Sequence, residues 1–74
     1  MREMEEFPLG ATFKKDYHAW DCFFWMQQIR NLEPSWIAKG DLRFTFSAFG
    51  ITAKKSAVKI VKRFGGELVE WPIW

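Results

Sequence analysis

The most constraining feature of this sequence is its aromatic content: 74 residues include eight phenylalanines, five tryptophans and one tyrosine. Each aromatic side chain that enters a core removes about 150–250 Å² of surface from water, and a chain this short cannot enclose all of them. Some rings are therefore expected at the surface, where a large apolar patch usually marks an interaction site. The composition favours a small binding protein and names no reaction.

The length predicts one domain over residues 1–74. At this size a core alone supplies only about 3–5 kcal/mol of stability. Cys22 is the single cysteine and His18 the single histidine, so the chain can form neither an internal disulfide nor an all-Cys/His zinc site. Dense aromatic packing or a partner chain must therefore supply stability, and a homodimer is one form of such a partnership.

Three observations bear on location. The segment 1–6 is charged, and no apolar stretch of a secretory signal follows it. The longest apolar run, residues 22–26, is far too short to span a bilayer. A single free thiol agrees with a reducing compartment. We therefore expect a cytoplasmic protein with no membrane partner.

Two helices are predicted, at residues 16–32 and 52–64. Asp16 is the expected N-cap of the first, and Pro34 lies beyond its end. Thr52 is the expected N-cap of the second, and Gly65-Gly66 ends it. Helical spacing assigns a core face to each helix, consisting of Ala19, Cys22, Phe23, Met26, Ile29 and Leu32 in the first and of Ala53, Ala57, Ile60, Val61 and Phe64 in the second.

The segment 41–51 permits two interpretations. Apolar residues alternate with polar ones from Leu42 to Ala48, which is typical of a half-buried strand, and Gly50 follows. We favour this strand, with a second strand at 67–71 that would run parallel to it if the two were neighbours. A short strand at 11–13 is the additional element. The predicted fold is α+β, with two helices packed on one face of a small sheet in the order helix-strand-helix-strand.

The alternative takes residues 41–49 as a helix capped by Asp41. Residues 52–64 would then be the recognition helix of a helix-turn-helix, and residues 67–74 the wing of a winged-helix-like fold. The exposed residues of that helix are mostly lysines, which suit phosphates better than base edges.

No constellation of side chains predicts catalysis. His18 and Cys22 have the i, i+4 spacing of a metal-binding or nucleophile pair, but no further ligands accompany them. The carboxylate pairs 16/21 and 67/70 have simpler roles as a helix cap and as strand surface. Phosphate-binding glycine motifs are absent. We expect no enzyme activity, no cofactor and no metal site.

Two surfaces and the C-terminus are the predicted partner-binding sites. The outer side of the first helix combines rings with amides, at Tyr17, Trp20, Phe24 and Gln28. The outer side of the second is basic, with Lys55, Lys59, Lys62 and Arg63 beside Lys54. The C-terminus carries Trp71 and Trp74, which suit an anchor in a partner's pocket.

The charge distribution agrees with a basic site in the C-terminal half. Residues 1–37 carry four basic and six acidic side chains, a net charge of −2, and residues 38–74 carry seven and three, a net charge of +4. The total of +2 is too small to indicate nucleic-acid binding by itself. Nucleic acid is still a candidate partner, through Lys54, Lys55, Lys59, Lys62 and Arg63.

These features together predict a small non-enzymatic binding protein. It would act as an accessory or inhibitor that docks onto a larger protein or nucleoprotein through exposed rings and the basic helix. Small phage-encoded antagonists of host machinery have this general character. The alternative function is nucleic-acid binding through the helix 52–64.

Overall fold

The computed structural model describes residues 5–70 as six elements. In chain order they are β1 (Glu6–Thr12), α1 (Asp16–Gln27), β2 (Leu32–Pro34), β3 (Arg43–Phe49), α2 (Ile51–Arg63) and β4 (Glu67–Glu70). The predicted α+β class is confirmed, and the additional N-terminal strand is present and longer than expected. The helix-turn-helix and winged-helix alternative is wrong, because it requires a helix where β3 lies.

The sheet is antiparallel throughout, with the strand order β2-β3-β1-β4. Because β1 lies between β3 and β4, the two strands joined by α2 are not neighbours, and the four described strands form no parallel pair. The element order β-α-β-β-α-β is that of the ferredoxin-like, or split β-α-β, arrangement. Folds of this kind host many unrelated functions, so the topology assigns none.

One face of the sheet carries the core, and both helices pack on that face. Strand alternation produces this face: Leu9 lies opposite Phe46, and Ala11 lies opposite Phe44. These four side chains are buried. The intervening residues of the same strands, Thr45 among them, point to the other face of the sheet.

Phenylalanine rings form the centre of the core. The ring of Phe44 lies 5.5 Å from Phe23 of α1 in an edge-to-face arrangement and 6.1 Å from Phe13 in a stacked one, measured between ring centroids. Phe46 is the third ring in contact with it, at 6.0 Å. Aromatic pairs in these geometries add about 0.5–1.5 kcal/mol each beyond the area that they bury. These ring contacts supply part of the stability of the fold, since the single cysteine cannot form an internal disulfide.

The first helix is shorter than predicted. Its core face does consist of Ala19, Cys22, Phe23 and Met26, but α1 ends at Gln27 instead of residue 32. Asn31 then takes a left-handed φ of 68°, a conformation that asparagine adopts more readily than most residues. The chain turns there, and Leu32 is buried in β2 opposite Ala48, not on the helix.

Both predicted N-caps are displaced. Lys15 occupies the N-cap position of α1, without a side-chain cap, and Asp16 lies in the first turn. Gly50 occupies the N-cap position of α2, with φ 97°, and Thr52 lies inside the helix. The amide of Gly50 donates to the carbonyl of Glu5 at 2.8 Å. Glycine therefore begins α2 because the chain reverses sharply from β3 at this point.

The predicted end of α2 is confirmed. Gly65 has a left-handed φ of 77° and donates its amide to the Lys62 carbonyl, while the Gly66 amide donates to the Val61 carbonyl. These two bonds are those of a Schellman motif, which satisfies carbonyls that a helix end leaves free.

Candidate functional site

Aromatic rings lie exposed along the outer side of α1. Tyr17 is 53% exposed, Phe24 52% and Trp25 46%. We call these three residues the aromatic patch. The sequence left open whether a second layer of the chain covers this side, and within residues 5–70 no element lies over it. Large side chains this open to water, within three turns of one helix, are typical of an interaction surface.

Trp20 occupies a different position from its neighbours on α1. It is half-buried and packs against the core, and its ring lies 6.2 Å from Phe23 and 5.2 Å from Phe24 between centroids. It therefore lies in contact with both a core ring and an exposed ring of the same helix. Gln28 follows the end of the helix and is exposed.

Lys15, Tyr17 and His18 form a small cluster at the start of α1. The Lys15 Nζ lies 5.8 Å from the centroid of the Tyr17 ring, and the His18 ring meets the same ring edge-on at 4.3 Å. A cation over an aromatic face is attracted by the ring's quadrupole. These contacts hold the Tyr17 ring in place while half of it faces solvent.

The outer side of α2 is basic, as predicted. Lys55, Lys59, Lys62 and Arg63 are all exposed, and we call these four residues the basic face. Among the side chains that the structure describes, no acidic one forms an ion pair with them. Lys54 is only half-exposed, because its Nζ lies 4.7 Å from the centroid of the Phe7 ring, and this contact ties it to β1.

The charges of α2 are arranged unfavourably for the helix itself. Lys55, Lys59 and Arg63 follow one another at i, i+4 spacing, where like charges destabilise a helix by about 0.2–0.5 kcal/mol per pair. The first turn contains no acidic residue to complement the helix dipole. Only Lys62 and Arg63, in the last turn, are placed favourably for the dipole. Helix stability alone therefore does not account for this charge arrangement.

One contact joins the aromatic patch to the basic face. The guanidinium carbon of Arg63 lies 6.0 Å from the centroid of the Trp25 ring. The helices α1 and α2 pack side by side on the sheet, so the two surfaces form a continuous area on the outside of the helix layer. Trp25 was not among the predicted site residues, because helical spacing placed it at the edge of the core face.

The opposite, open face of the sheet is polar. Ser47 Oγ donates to Glu6 Oε2 at 2.8 Å, and the hydroxyls of Ser35 and Thr45 lie 2.6 Å apart. The two aromatic rings in the middle of β3, Phe44 and Phe46, face the helices and are buried. Among residues 5–70, the centre of this face therefore offers no stacking platform of the kind that single-stranded nucleic acids use.

The side chains of Cys22 and His18 do not form a reactive pair. Cys22 is completely buried, and burial raises the pKa of its thiol from 9.0 to about 12. The thiol is therefore protonated at neutral pH, whereas nucleophiles and metal ligands need the thiolate. Within the described residues there is no group of three or more His, Cys, Asp or Glu side chains that could hold a metal ion.

Several further features complete the description of the surface. Trp71 and Trp74, the predicted C-terminal anchors, lie outside the described residues. Trp36, in the connection between β2 and β3, is 73% exposed, and no helical or strand periodicity indicated its position. Neither α1 nor α2, which are the helices of residues 5–70, is long and apolar enough to cross a membrane.

Comparisons of the chain with protein-family models, with curated proteins and with solved structures find no match.

Proposed function

We propose that this chain is a non-enzymatic binding module that docks onto a larger protein through the outside of its helix layer. The observation that carries the proposal is the continuity of the aromatic patch with the basic face at the Trp25–Arg63 contact. Tryptophan, tyrosine and arginine are the residue types that dominate binding energy at protein interfaces. All three are present within this one surface.

The two parts of the surface would serve different steps of docking. Rings that lose their remaining contact with water supply affinity, since each exposed half of a ring adds apolar area to the interface. The basic face speeds the encounter with an oppositely charged partner and fixes its orientation. A protein of this size that covers a partner's working surface would act as an accessory or inhibitor by steric exclusion.

Site-specific photocrosslinking in the source cells tests this proposal. We would introduce p-benzoylphenylalanine in place of Phe24, and in place of Trp36 in a control protein. We expect a discrete crosslinked species from position 24 and none of the same mass from position 36. Loss of that species on adding Tyr17→Ser would assign the contact to the aromatic patch.

Two results of the crosslinking would contradict the proposal. Identical species from positions 24 and 36 would indicate unspecific contact. An adduct of twice the chain's mass, together with sedimentation of the purified protein as a dimer, would show that a second copy covers the patch.

Nucleic acid is the second candidate partner, and the absence of acidic residues from α2 is the observation in its favour. Lys55, Lys59 and Lys62 would contact phosphates, with little discrimination between sequences. Binding of this kind weakens steeply as salt rises. A salt titration of binding to duplex and single-stranded DNA, monitored by tryptophan fluorescence, distinguishes nucleic-acid binding from protein docking.

A further inference from the structure

The row of lysines on α2 specifies the charge of the partner that the proposed docking surface would accept. Lys55, Lys59 and Lys62 lie at i, i+4 and i+7 on one side of the helix, and they are exposed. At a rise of about 1.5 Å per residue the row is about 10 Å long. No acidic residue occurs between Leu42 and Gly66 to neutralise it. A partner that covers this row must itself be negatively charged, because burying unpaired cations is costly.

The boundary between the two helices adds a directional donor. The guanidinium carbon of Arg63 lies 6.0 Å from the centroid of the Trp25 ring. A guanidinium held beside a ring keeps its N–H groups available around its edge. Carboxylates bind such a fork through two parallel hydrogen bonds. The Trp25–Arg63 pair can therefore hold a carboxylate and an apolar side chain of one partner segment next to each other.

Acidic residues on α1 determine which kind of anion fits. Asp21 is exposed and lies within one helical turn of both Tyr17 and Phe24, and Asp16 is exposed beside Tyr17. A nucleic-acid strand that stacked bases on these rings would bring phosphates close to Asp21, since it carries a charge at every nucleotide. A polypeptide can place apolar side chains on the rings and keep its carboxylates over α2.

We infer that the partner contributes an acidic amphipathic segment, whose carboxylates pair with the basic face while its apolar side chains cover the aromatic patch. This inference rests on the proposed function and adds the chemistry of the partner to it. The exposed side of α2 carries only basic side chains, whereas Asp16 and Asp21 lie beside the rings of α1. This division of charge favours a segment with separate acidic and apolar sides over a uniformly charged polymer.

Designed helical peptides test the inference. Each peptide carries glutamates at i, i+4 and i+7 and leucines on a second stripe, and the set varies the angle between the two stripes. Binding is measured by Trp fluorescence and by calorimetry. We expect at least one member to bind, and its affinity to fall at least tenfold when the glutamates become glutamines or the leucines become serines. An oligo(dT) strand of equal charge is the comparison ligand.

Matched protein variants locate the binding site. Lys55→Glu with Lys59→Glu should lower affinity for the best peptide at least tenfold, whereas Lys14→Glu with Lys39→Glu makes the same change in net charge at exposed positions outside α2 and should lower it less than threefold. A peptide with lysines in place of its glutamates should bind the first variant better than the wild type. Circular dichroism melting checks that every variant is folded.

The outcomes separate this inference from the function on which it rests. If both double variants lose affinity equally, binding follows net charge and the inference fails. It also fails if oligo(dT) binds more tightly than every peptide, or if no peptide binds. If none of the peptides binds but crosslinking at position 24 still finds a protein partner, the docking function stands. In that case only the acidic segment is excluded.

Discussion

The ring of Phe13 occupies the space that a side chain on residue 66 would need. A Cβ atom built on Gly66 would lie 2.7 Å from Cδ2 and 2.8 Å from Cζ of that ring. The ring has little room to move, because it is buried and stacks on Phe44 with an interplanar angle of 9°. The glycine at position 66 therefore lets the chain after α2 pass directly over the core.

We expect Gly66→Ala to lower the free energy of unfolding by about 1–3 kcal/mol, the usual cost of overpacking a core. Urea denaturation, monitored by tryptophan fluorescence, measures this change in the free energy of unfolding. In a Phe13→Leu background the same substitution should cost less, since the ring is gone. Gly65→Ala is the control: nothing lies within 4 Å of its Cβ, so its cost of about 1–2 kcal/mol arises from the positive φ alone. Phe13→Leu should not reduce that cost, and an equal reduction for both glycines would refute the steric explanation.

Trp20 and Phe24 should respond differently to truncation, although helical spacing assigned both to the outer side of α1. Trp20→Ala removes a ring that packs on the core, and we expect it to lower stability by about 2 kcal/mol. Phe24→Ala removes an exposed ring and should change stability by less than about 1 kcal/mol. Partner binding, measured by the yield of a crosslinker at position 17, should fall for both. Equal losses of stability would show that Phe24 is covered in solution.

The buried thiol should make the protein sensitive to high pH. The pKa of Cys22 is about 12 in the folded chain and 9.0 when the thiol is exposed by unfolding. The unfolded state therefore loses its proton first, so stability is complete below pH 9 and falls above it by about 1.4 kcal/mol per pH unit. Between pH 8 and pH 10.5 we expect the wild type to lose about 2 kcal/mol more than Cys22→Ala. Parallel losses in the two proteins would show that the thiol ionises equally in both states.

Relief of the charge repulsion on α2 should stabilise the protein. Lys59→Glu removes two like-charge pairs at i, i+4 spacing, with Lys55 and Arg63, and places a glutamate four residues before Arg63. We expect a gain of about 0.5–1 kcal/mol at low salt, most of which should vanish in 1 M NaCl. Lys59→Gln, which removes only the repulsion, should give a smaller gain. A loss of stability would mean that the basic face contributes to folding in a way that its exposure does not indicate.

Elements determined by neighbouring residues could be predicted from the sequence. The alternation around Phe44 and Phe46 indicated a strand, and the Gly65-Gly66 pair indicated the end of α2. Both signals are local, because they depend on strand periodicity and on the backbone freedom of glycine. The exposed positions of Tyr17, Phe24 and the basic face followed from helical spacing in the same way.

Features that depend on distant pairing could not be predicted. Leu32 continues the helical pattern of α1, yet it is buried by pairing with Ala48 in a strand of three residues. Within β1, Pro8 and Gly10 are residues that normally argue against an interior strand. Within the described residues, β1 is paired with β3 alone at Pro8, because its pairing with β4 begins at Leu9. Proline is accommodated in the strand at this position. The position of Trp25 beside Arg63 likewise required the packing of two helices.

The strand order has a consequence for how the protein is made. Of the four described strands, β1 is synthesised before the others and comes to lie between β3 and β4. Its backbone groups on the side of β4 therefore lack that partner until the chain through residue 70 has emerged. Unpaired strand edges of this kind promote aggregation. The sheet can be completed only after synthesis of β4, and any factor that delays translation late in the chain would prolong the exposure of β1.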